Sequence, residues 1–190
     1  MRRAIDSKFL LLFMIIGSMA CLPAGNGDGG GGAGGGNVPD PAYDNACAQG
    51  ALDAPIQGCA PDELESTGDP REDCVRRINQ LRWECQCLPP LERWRDGESC
   101  ADQHASYDAS KNAAHAGFSE RICSPGGYAQ NECPGWGSWD SANGGCLQMM
   151  WDEGPGEPFI EHGHYLNMTS PGHTMVACGE GDGWFVQNFK

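Results

Sequence analysis

The amino-acid sequence predicts an α+β layered domain that disulfide bonds stabilise. Three predicted helical segments come first and strand-like segments come last, an order typical of this class. The chain also contains 11 cysteines among 190 residues. Such cysteine usage favours an oxidising compartment outside the cytoplasm.

The first 20 residues have the layout of a secretory signal peptide. A basic start precedes an apolar run over residues 9–16, which is too short to span a bilayer as a helix. Cys21 directly follows a small residue, as in bacterial lipoprotein processing. We therefore predict an exported lipoprotein of the bacterial outer membrane or cell surface, lipidated at Cys21, with simple secretion as the alternative.

Three further regions follow the signal. Residues 21–38 are rich in glycine, cannot bury apolar surface and are predicted to form a tether. Residues 39–68 are polar and are predicted to be an irregular, cysteine-containing extension. Residues 69–190 are long enough for one ordinary domain.

The first predicted helix begins at Asp69, a suitable N-cap, with Pro70 in its first turn. Its apolar stripe has helical spacing and consists of Cys74, Ile78, Leu81 and Cys85. Cys74 and Cys85 would lie roughly 16 Å apart on such a helix, beyond the reach of a disulfide, so they need separate partners.

Two more helices are predicted. The second covers about 96–111 and has an inner side formed by Cys100, Ala101, His104 and either Tyr107 or Asp108. Residues 119–145 are rich in glycine, proline and asparagine and are predicted to be loops. The third helix carries Glu153 on one stripe with Cys146, Met149 and Met150. A carboxylate on an apolar stripe needs a partner, unless it turns toward solvent at the helix end.

The last part of the chain is predicted to form strands. The segments 165–169, 173–178 and 184–189 mix aromatic and β-branched residues, and a glycine-rich hairpin connection joins the last two.

Without Cys21, the 11 cysteines leave ten, an even number that permits five disulfides. None of these shows the C-x2-C spacing of a zinc knuckle, so a disulfide framework is the better interpretation. Cys133 with Cys146 is one candidate pair, and the sequence leaves the remaining connectivity open. The candidates are Cys47, Cys59, Cys74, Cys85, Cys87, Cys100, Cys123, Cys133, Cys146 and Cys178.

The formal net charge of −14 argues against binding nucleic acid or anionic membrane surfaces. Membrane contact is therefore expected only through the lipid anchor.

Several short motifs, in order along the chain, resemble those of the CAP superfamily, also called the SCP domain. This family includes cysteine-rich secretory proteins, antigen 5 and pathogenesis-related proteins. The matching segments are INQLR with Asn79 and Arg82, LPPLERW, AAHAGFS with His115, QMMWDEG with Glu153, GHYLNM with His164, VACG and VQNF.

The resemblance implies an α-β-α sandwich with a central antiparallel sheet and a cleft where His115 and His164 approach each other beside Glu153. In many members such a pair binds a divalent metal, often zinc, so we expect a divalent metal here, zinc first, and no other cofactor. The chain departs from the family at Gln130, which stands where the first glutamate is usual unless a loop shift brings Glu132 there. The other supporting cleft positions are Asn131, Tyr165 and Asn167.

The remaining three histidines are not predicted to belong to the metal site. His162 and His173 are expected to be exposed polar residues, and His104 a helix residue against the core.

Sequence signals for common hydrolases and nucleotide-binding proteins are missing, since no G-x-S-x-G, H-E-x-x-H or P-loop motif occurs. We therefore expect a non-enzymatic binding module for an extracellular lipid, polymer or protein. The alternatives are a metal-dependent hydrolase of envelope or secreted polymers, and a structural surface protein.

Overall fold

The structure, a computed structural model, describes residues 47–190, which belong to one compact unit. The predicted signal peptide, the tether with Cys21, and the first residues of the extension lie outside the described residues.

The described chain contains six α-helices and four β-strands. The helices are α1 (Pro70–Gln86), α2 (Arg95–Lys111), α3 (Ala116–Glu120), α4 (Trp139–Ser141), α5 (Leu147–Asp152) and α6 (Phe159–Thr169), and a π-helical turn (Ala142–Cys146) joins α4 to α5. The strands are β1 (Glu92–Arg93), β2 (Ala129–Cys133), β3 (Met175–Gly181) and β4 (Trp184–Phe189).

Helix α1 begins where the sequence predicts. The Asp69 side chain accepts the backbone N–H groups of Arg71 and Glu72, and Pro70 occupies the first turn. The helix ends at Cys87, which adopts a left-handed conformation with φ of 56°. Its buried stripe contains all four residues that the periodicity indicated.

The four strands form one sheet in the order β1-β3-β4-β2. The β3–β4 and β4–β2 pairs are antiparallel, whereas β1 pairs with β3 in parallel. The sheet is therefore mixed, and the expectation of a purely antiparallel sheet is wrong for this pair. Parallel pairing is possible because the connection between β1 and β3 is long and contains several helices, which lets the chain return to the same end of the sheet.

Side chains alternate across β3 and β4, so the two faces of the sheet contact different helices. Val176, Cys178 and Phe185 belong to the main core with α1, α5 and α6. Val186 lies on the other face and packs against Ala101 and Ala105 of α2. Helices thus cover both faces of the sheet.

Helix α2 lies very close to β3 because two glycines face it. A Cβ atom added to Gly179 would lie 2.5 Å from backbone atoms of Ala101 and Asp102, and one added to Gly181 would lie 2.1 Å from Ser106 Oγ. The missing side chains permit this close approach.

Two predictions about local structure are wrong. Residues 165–169 form the end of α6 rather than a strand, because Tyr165 and Met168, three positions apart, are the pair that this segment buries. Residues 129–133 form β2 inside a region predicted to be loop. Most of this strand is buried although its side chains are largely polar, so it lacks the apolar alternation by which strands are recognised.

Helix α5 confirms one part of its prediction and corrects another. Gly154 follows it with φ of 62°, in agreement with the predicted helix end. Met149, however, is 59% exposed. The buried side of this segment runs through Cys146, Leu147, Met150 and Trp151, which turns Met149 outward.

All ten cysteines of the described chain form disulfides. The pairs are Cys47–Cys87, Cys59–Cys85, Cys74–Cys178, Cys100–Cys123 and Cys133–Cys146. The candidate pair Cys133–Cys146 is confirmed, and Cys74 and Cys85 have separate partners as expected. The first two pairs attach the extension to the end of α1.

Five disulfides agree with an oxidising environment. Within residues 47–190, no helix combines the length and apolar character that a membrane span requires.

Candidate functional site

The residues that the sequence singled out meet at one edge of the sheet. Strand β2 forms this edge, and it carries Gln130, Asn131 and Glu132 in succession. The turn after α2 brings His115 to this edge, and α6 brings His164. The imidazole centroids of the two histidines lie 6.4 Å apart.

His115 is held by both its backbone and its ring. It adopts a left-handed conformation with φ of 62° at the start of α3, and its backbone N–H donates to Glu132 Oε2 at 2.7 Å. Its Nδ1 lies 2.8 Å from Gln130 Oε1. An amide oxygen can only accept a hydrogen bond, so the proton of the His115 ring lies on Nδ1. The Nε2 atom is then unprotonated and its lone pair is available to a ligand.

His164 is held in the same manner by Glu153. Its Nδ1 donates to Glu153 Oε1 at 2.5 Å, and its backbone N–H donates to Glu153 Oε2 at 3.0 Å. Glu153 therefore contacts α6 instead of turning to solvent. His164 likewise presents Nε2 as a lone pair.

The two rings are accessible as well as oriented. The side chains of His115 and His164 are 40% and 34% exposed. Both Nδ1 atoms are occupied by oxygen acceptors, the arrangement that outer-shell partners give to metal-binding histidines. The arrangement can therefore offer two imidazole Nε2 atoms to a cation or to a hydrogen-bond donor.

Gln130 contacts a third imidazole. Its Nε2 donates to His104 Nδ1 at 3.1 Å and to Asn188 Oδ1 at 3.1 Å, and Asn188 Nδ2 lies 3.2 Å from the same His104 nitrogen. Nδ1 of His104 thus accepts, and the ring carries its proton on Nε2. Burial lowers the pKa of His104, which keeps the ring neutral.

The supporting positions connect β2 to α6. Asn131 Nδ2 donates to the backbone oxygen of His164 at 3.0 Å, and Asn167 Nδ2 donates to Asn131 Oδ1 at 2.9 Å. Tyr165 is buried, stacks edge-on against Trp151 and donates to Gln86 Oε1 at 2.6 Å. Asn131 and Asn167 fix the position of His164, whereas Tyr165 belongs to the core.

Glu132 does not replace Gln130 as the partner of the His115 ring, since its Oε2 lies 3.8 Å from Nδ1. Its side chain is fully buried beside Asp108, whose Oδ1 accepts the backbone N–H of Gly117 at 2.6 Å. Burial, together with Asp108, raises the pKa of Glu132 to about 8. A protonated Glu132 can donate to Asp108, and the two side chains together hold the turn that carries His115.

The other two histidines have structural contacts. His162 Nδ1 donates to the backbone oxygens of Glu153 and Gly154 at 2.8 and 3.0 Å, which fixes the turn between α5 and α6. His173 stacks on Phe189 with 5.6 Å between ring centroids. Both are half-buried, so the expectation of exposed residues is wrong, because each ring packs against its neighbours.

A second group of potential metal ligands was missed from the sequence. Ligand atoms of Cys100, His104 and Cys123 all lie within 4.8 Å of one another. Cys100 and His104 are four positions apart on α2, a spacing that could have drawn attention to them. The two cysteines are bonded to each other, so this group has no free thiolates in the oxidised protein.

Comparison of the chain with family models, curated proteins and solved structures gave no match.

Proposed function

We propose that the chain is an extracytoplasmic, CAP-like binding module whose edge cleft holds a divalent cation, with zinc as the preferred ion, between His115 and His164. Support for the family comes from the motif order, and from helices that cover both faces of the sheet as in an α-β-α sandwich. The lipid anchor at Cys21 remains a prediction of the sequence.

The observation that carries the metal proposal is the matched orientation of the two rings. Each histidine has its Nδ1 bound to a side-chain oxygen, from Gln130 or from Glu153, and each leaves Nε2 free. Neutral imidazole suits zinc, and an outer-shell oxygen on the other nitrogen fixes the required tautomer. When bound, the ion would supply a Lewis-acidic centre with coordination positions open to an extracellular ligand.

A binding role fits the site better than hydrolysis. Glu153 is engaged by the ring and the backbone of His164, so it is not free to act as a base on bound water. Gln130 replaces a carboxylate and cannot serve as one. Within residues 47–190, no cluster of three potential metal ligands includes His115 or His164. The site therefore resembles a metal site with free coordination positions at which an extracellular ligand can bind.

Zinc titration of the exported protein by calorimetry tests the proposal. The chain should retain Cys47 and Cys59, because a chain starting at Asp69 would leave Cys85 and Cys87 without partners. One zinc ion per chain is expected, and His115→Ala or His164→Ala should each remove most of the binding.

His173→Ala is the matched control, since His173 stacks on Phe189 and has no contact with either site histidine in the structure. It should bind zinc as the wild type does. Absence of zinc uptake by the wild type, or equal loss in all three variants, would refute the proposed site.

A further inference from the structure

We propose that Cys100, His104 and Cys123 form a thiol-gated metal site: reduction of the Cys100–Cys123 disulfide creates a three-ligand site for a thiophilic divalent ion such as zinc or cadmium. This site is separate from the one proposed at His115 and His164.

The placement of the three residues is the first argument. Cys100 and His104 are four positions apart on α2, so both side chains lie on the same side of the helix. Cys100 Sγ lies 3.7 Å from His104 Nε2. Bond lengths of about 2.3 Å to sulfur and 2.0 Å to nitrogen place these two ligands about 3.5 Å apart around a tetrahedral zinc ion. The observed spacing is therefore close to that of a ligand pair.

The third ligand is in a position to move. Cys123 is half-buried and lies between α3 and β2, outside any helix or strand. After reduction the two sulfurs need to separate to about 3.8 Å to bind one tetrahedral ion. The segment that carries Cys123 can make this shift without displacing α2. Two cysteines and one histidine make a recognised zinc ligand set, which leaves a fourth position open.

Accessibility distinguishes this pair from the buried disulfides of the core. Cys74, Cys178 and Cys133 are 0% exposed, whereas Cys123 presents part of its surface to solvent, as do Cys47 and Cys59 in the two disulfides of the extension. A thiol reductant can therefore approach Cys123 Sγ, and Cys100 Sγ becomes the leaving group. His104 Nε2–H faces that sulfur and can stabilise the departing thiolate by a hydrogen bond.

The redox step balances with a dithiol as the reductant. The dithiol is oxidised to its disulfide, the Cys100–Cys123 bond breaks, and two electrons and two protons pass to the two cysteines. Each thiol releases its proton when it binds the metal.

His104 must also change tautomer, because metal binding by Nε2 requires the proton on Nδ1. The side-chain amides of Gln130 and Asn188 donate to Nδ1 in the oxidised protein. Each amide can flip by about 180° and place its oxygen, instead of its nitrogen, next to Nδ1. The buried polar network thus supplies a hydrogen-bond partner in either state.

The test uses the full exported chain. A water-soluble phosphine reduces the folded protein, in a reaction that takes oxygen from water and yields the phosphine oxide and two thiols. After its removal without oxygen, alkylation and peptide mapping show which cysteines are free. Cadmium is then added, and the thiolate-to-cadmium absorption band is titrated.

We expect no such band in the oxidised protein, and a band that saturates at one cadmium per chain in protein in which mapping finds Cys100 and Cys123 free and the other eight cysteines bonded. His104→Gln should weaken cadmium binding at least tenfold, with His173→Gln as the control that leaves it unchanged. Free thiols at both positions without a band, or equal affinity in His104→Gln, would overturn the proposal. So would a pair that opens only when the near-ultraviolet circular dichroism of the fold is lost. The cadmium titration of the reduced wild-type protein tests the proposal even if the His104→Gln variant does not fold.

Discussion

The carboxylate of Glu153 binds His164 twice, with Oε1 2.5 Å from the ring Nδ1 and Oε2 3.0 Å from the backbone nitrogen. One side chain at the end of α5 therefore sets both the direction of the ring and the position of the helix that carries it.

Glu153→Gln is expected to lower the zinc affinity of the edge cleft by about tenfold to a hundredfold, because the outer-shell acceptor of the ligand ring is weakened. The measurement is zinc calorimetry at constant pH and salt. Asp152→Asn is the matched control, since it removes the same charge from the adjacent residue, whose side chain accepts a hydrogen bond from Gln148 and makes none to His164. Equal losses in both variants would mean that long-range charge, rather than the contact with His164, determines the affinity.

Glu132 makes stability depend on pH. Its pKa is about 8 in the folded chain, against about 4.5 when it is unperturbed, so the folded state keeps a proton that the unfolded state releases. Its contribution to the free energy of unfolding is therefore fully present at and below about pH 4.5, and it is lost as the pH rises to about 8, by an amount on the order of 5 kcal/mol.

Glu132→Gln imitates the protonated carboxyl and should flatten this slope, which makes the variant more stable than the wild type at pH 8 but not at pH 5. Urea unfolding with a metal chelator present measures the difference. The groups that face Glu132 are Asp108 and His115. A slope unchanged by the substitution would show that Glu132 is already ionised in the fold.

The disulfide between α1 and β3 should matter most for stability. Cys74 and Cys178 are 104 positions apart, and both are fully buried. Replacing both with alanine should lower the free energy of unfolding by up to about 4.7 kcal/mol, against about 3 kcal/mol for Cys133 and Cys146, which close a much shorter loop. Chemical denaturation of the two double variants compares them. A larger loss in the short-loop variant would contradict the loop-entropy argument.

The first helix shows how much of this fold is readable from sequence. Asp69, Pro70 and the apolar stripe are local signals, and each acts through its immediate neighbours, so the sequence predicts the start of α1 and its buried face. The hairpin of β3 and β4 is readable for the same reason.

Strand β2 shows which part of the fold local sequence patterns cannot predict. Its buried polar side chains are satisfied by partners far along the chain, such as Asn188 for Gln130 at a separation of 58 residues. Local sequence patterns contain no information about such distant partners. Neither the strand nor the connection of His104 to His115 through Gln130 could therefore be derived from the sequence alone. The positions of His115 and His164 came instead from the family resemblance, whereas Glu153 was also indicated by its place on the apolar stripe of the third predicted helix.

Gly179→Ala should lower the free energy of unfolding by about 1–3 kcal/mol, because the added Cβ atom would overlap the backbone of α2. Gly172→Ala is the control. It lies on the surface, where an added Cβ meets only Ser170 Oγ at 3.5 Å, and its effect should stay within about 0.5 kcal/mol. Thermal unfolding of both variants is sufficient, and similar midpoints would show that α2 and β3 are not in close contact.

Cys21→Ser tests the predicted anchor. If Cys21 is lipidated, the substitution should move the protein from the membrane fraction to the soluble exported pool, as seen by immunoblotting of cell fractions. The Cys100→Ser/Cys123→Ser variant, which changes two other cysteines, should leave the distribution as it is. An unchanged distribution of Cys21→Ser would exclude lipidation.

The amide of Gln130 has two unlike ends, and each end contacts the Nδ1 of a different histidine. Whichever way the amide is turned, one neutral imidazole donates from Nδ1 and the other accepts there. His104 and His115 therefore have opposite tautomers, and only one of them can present a bare outer nitrogen at a time. Ions at the two proposed sites would consequently oppose each other, and by thermodynamic linkage each would weaken the binding of the other by the same factor. A glutamate at position 130 could accept from both rings and would remove this antagonism.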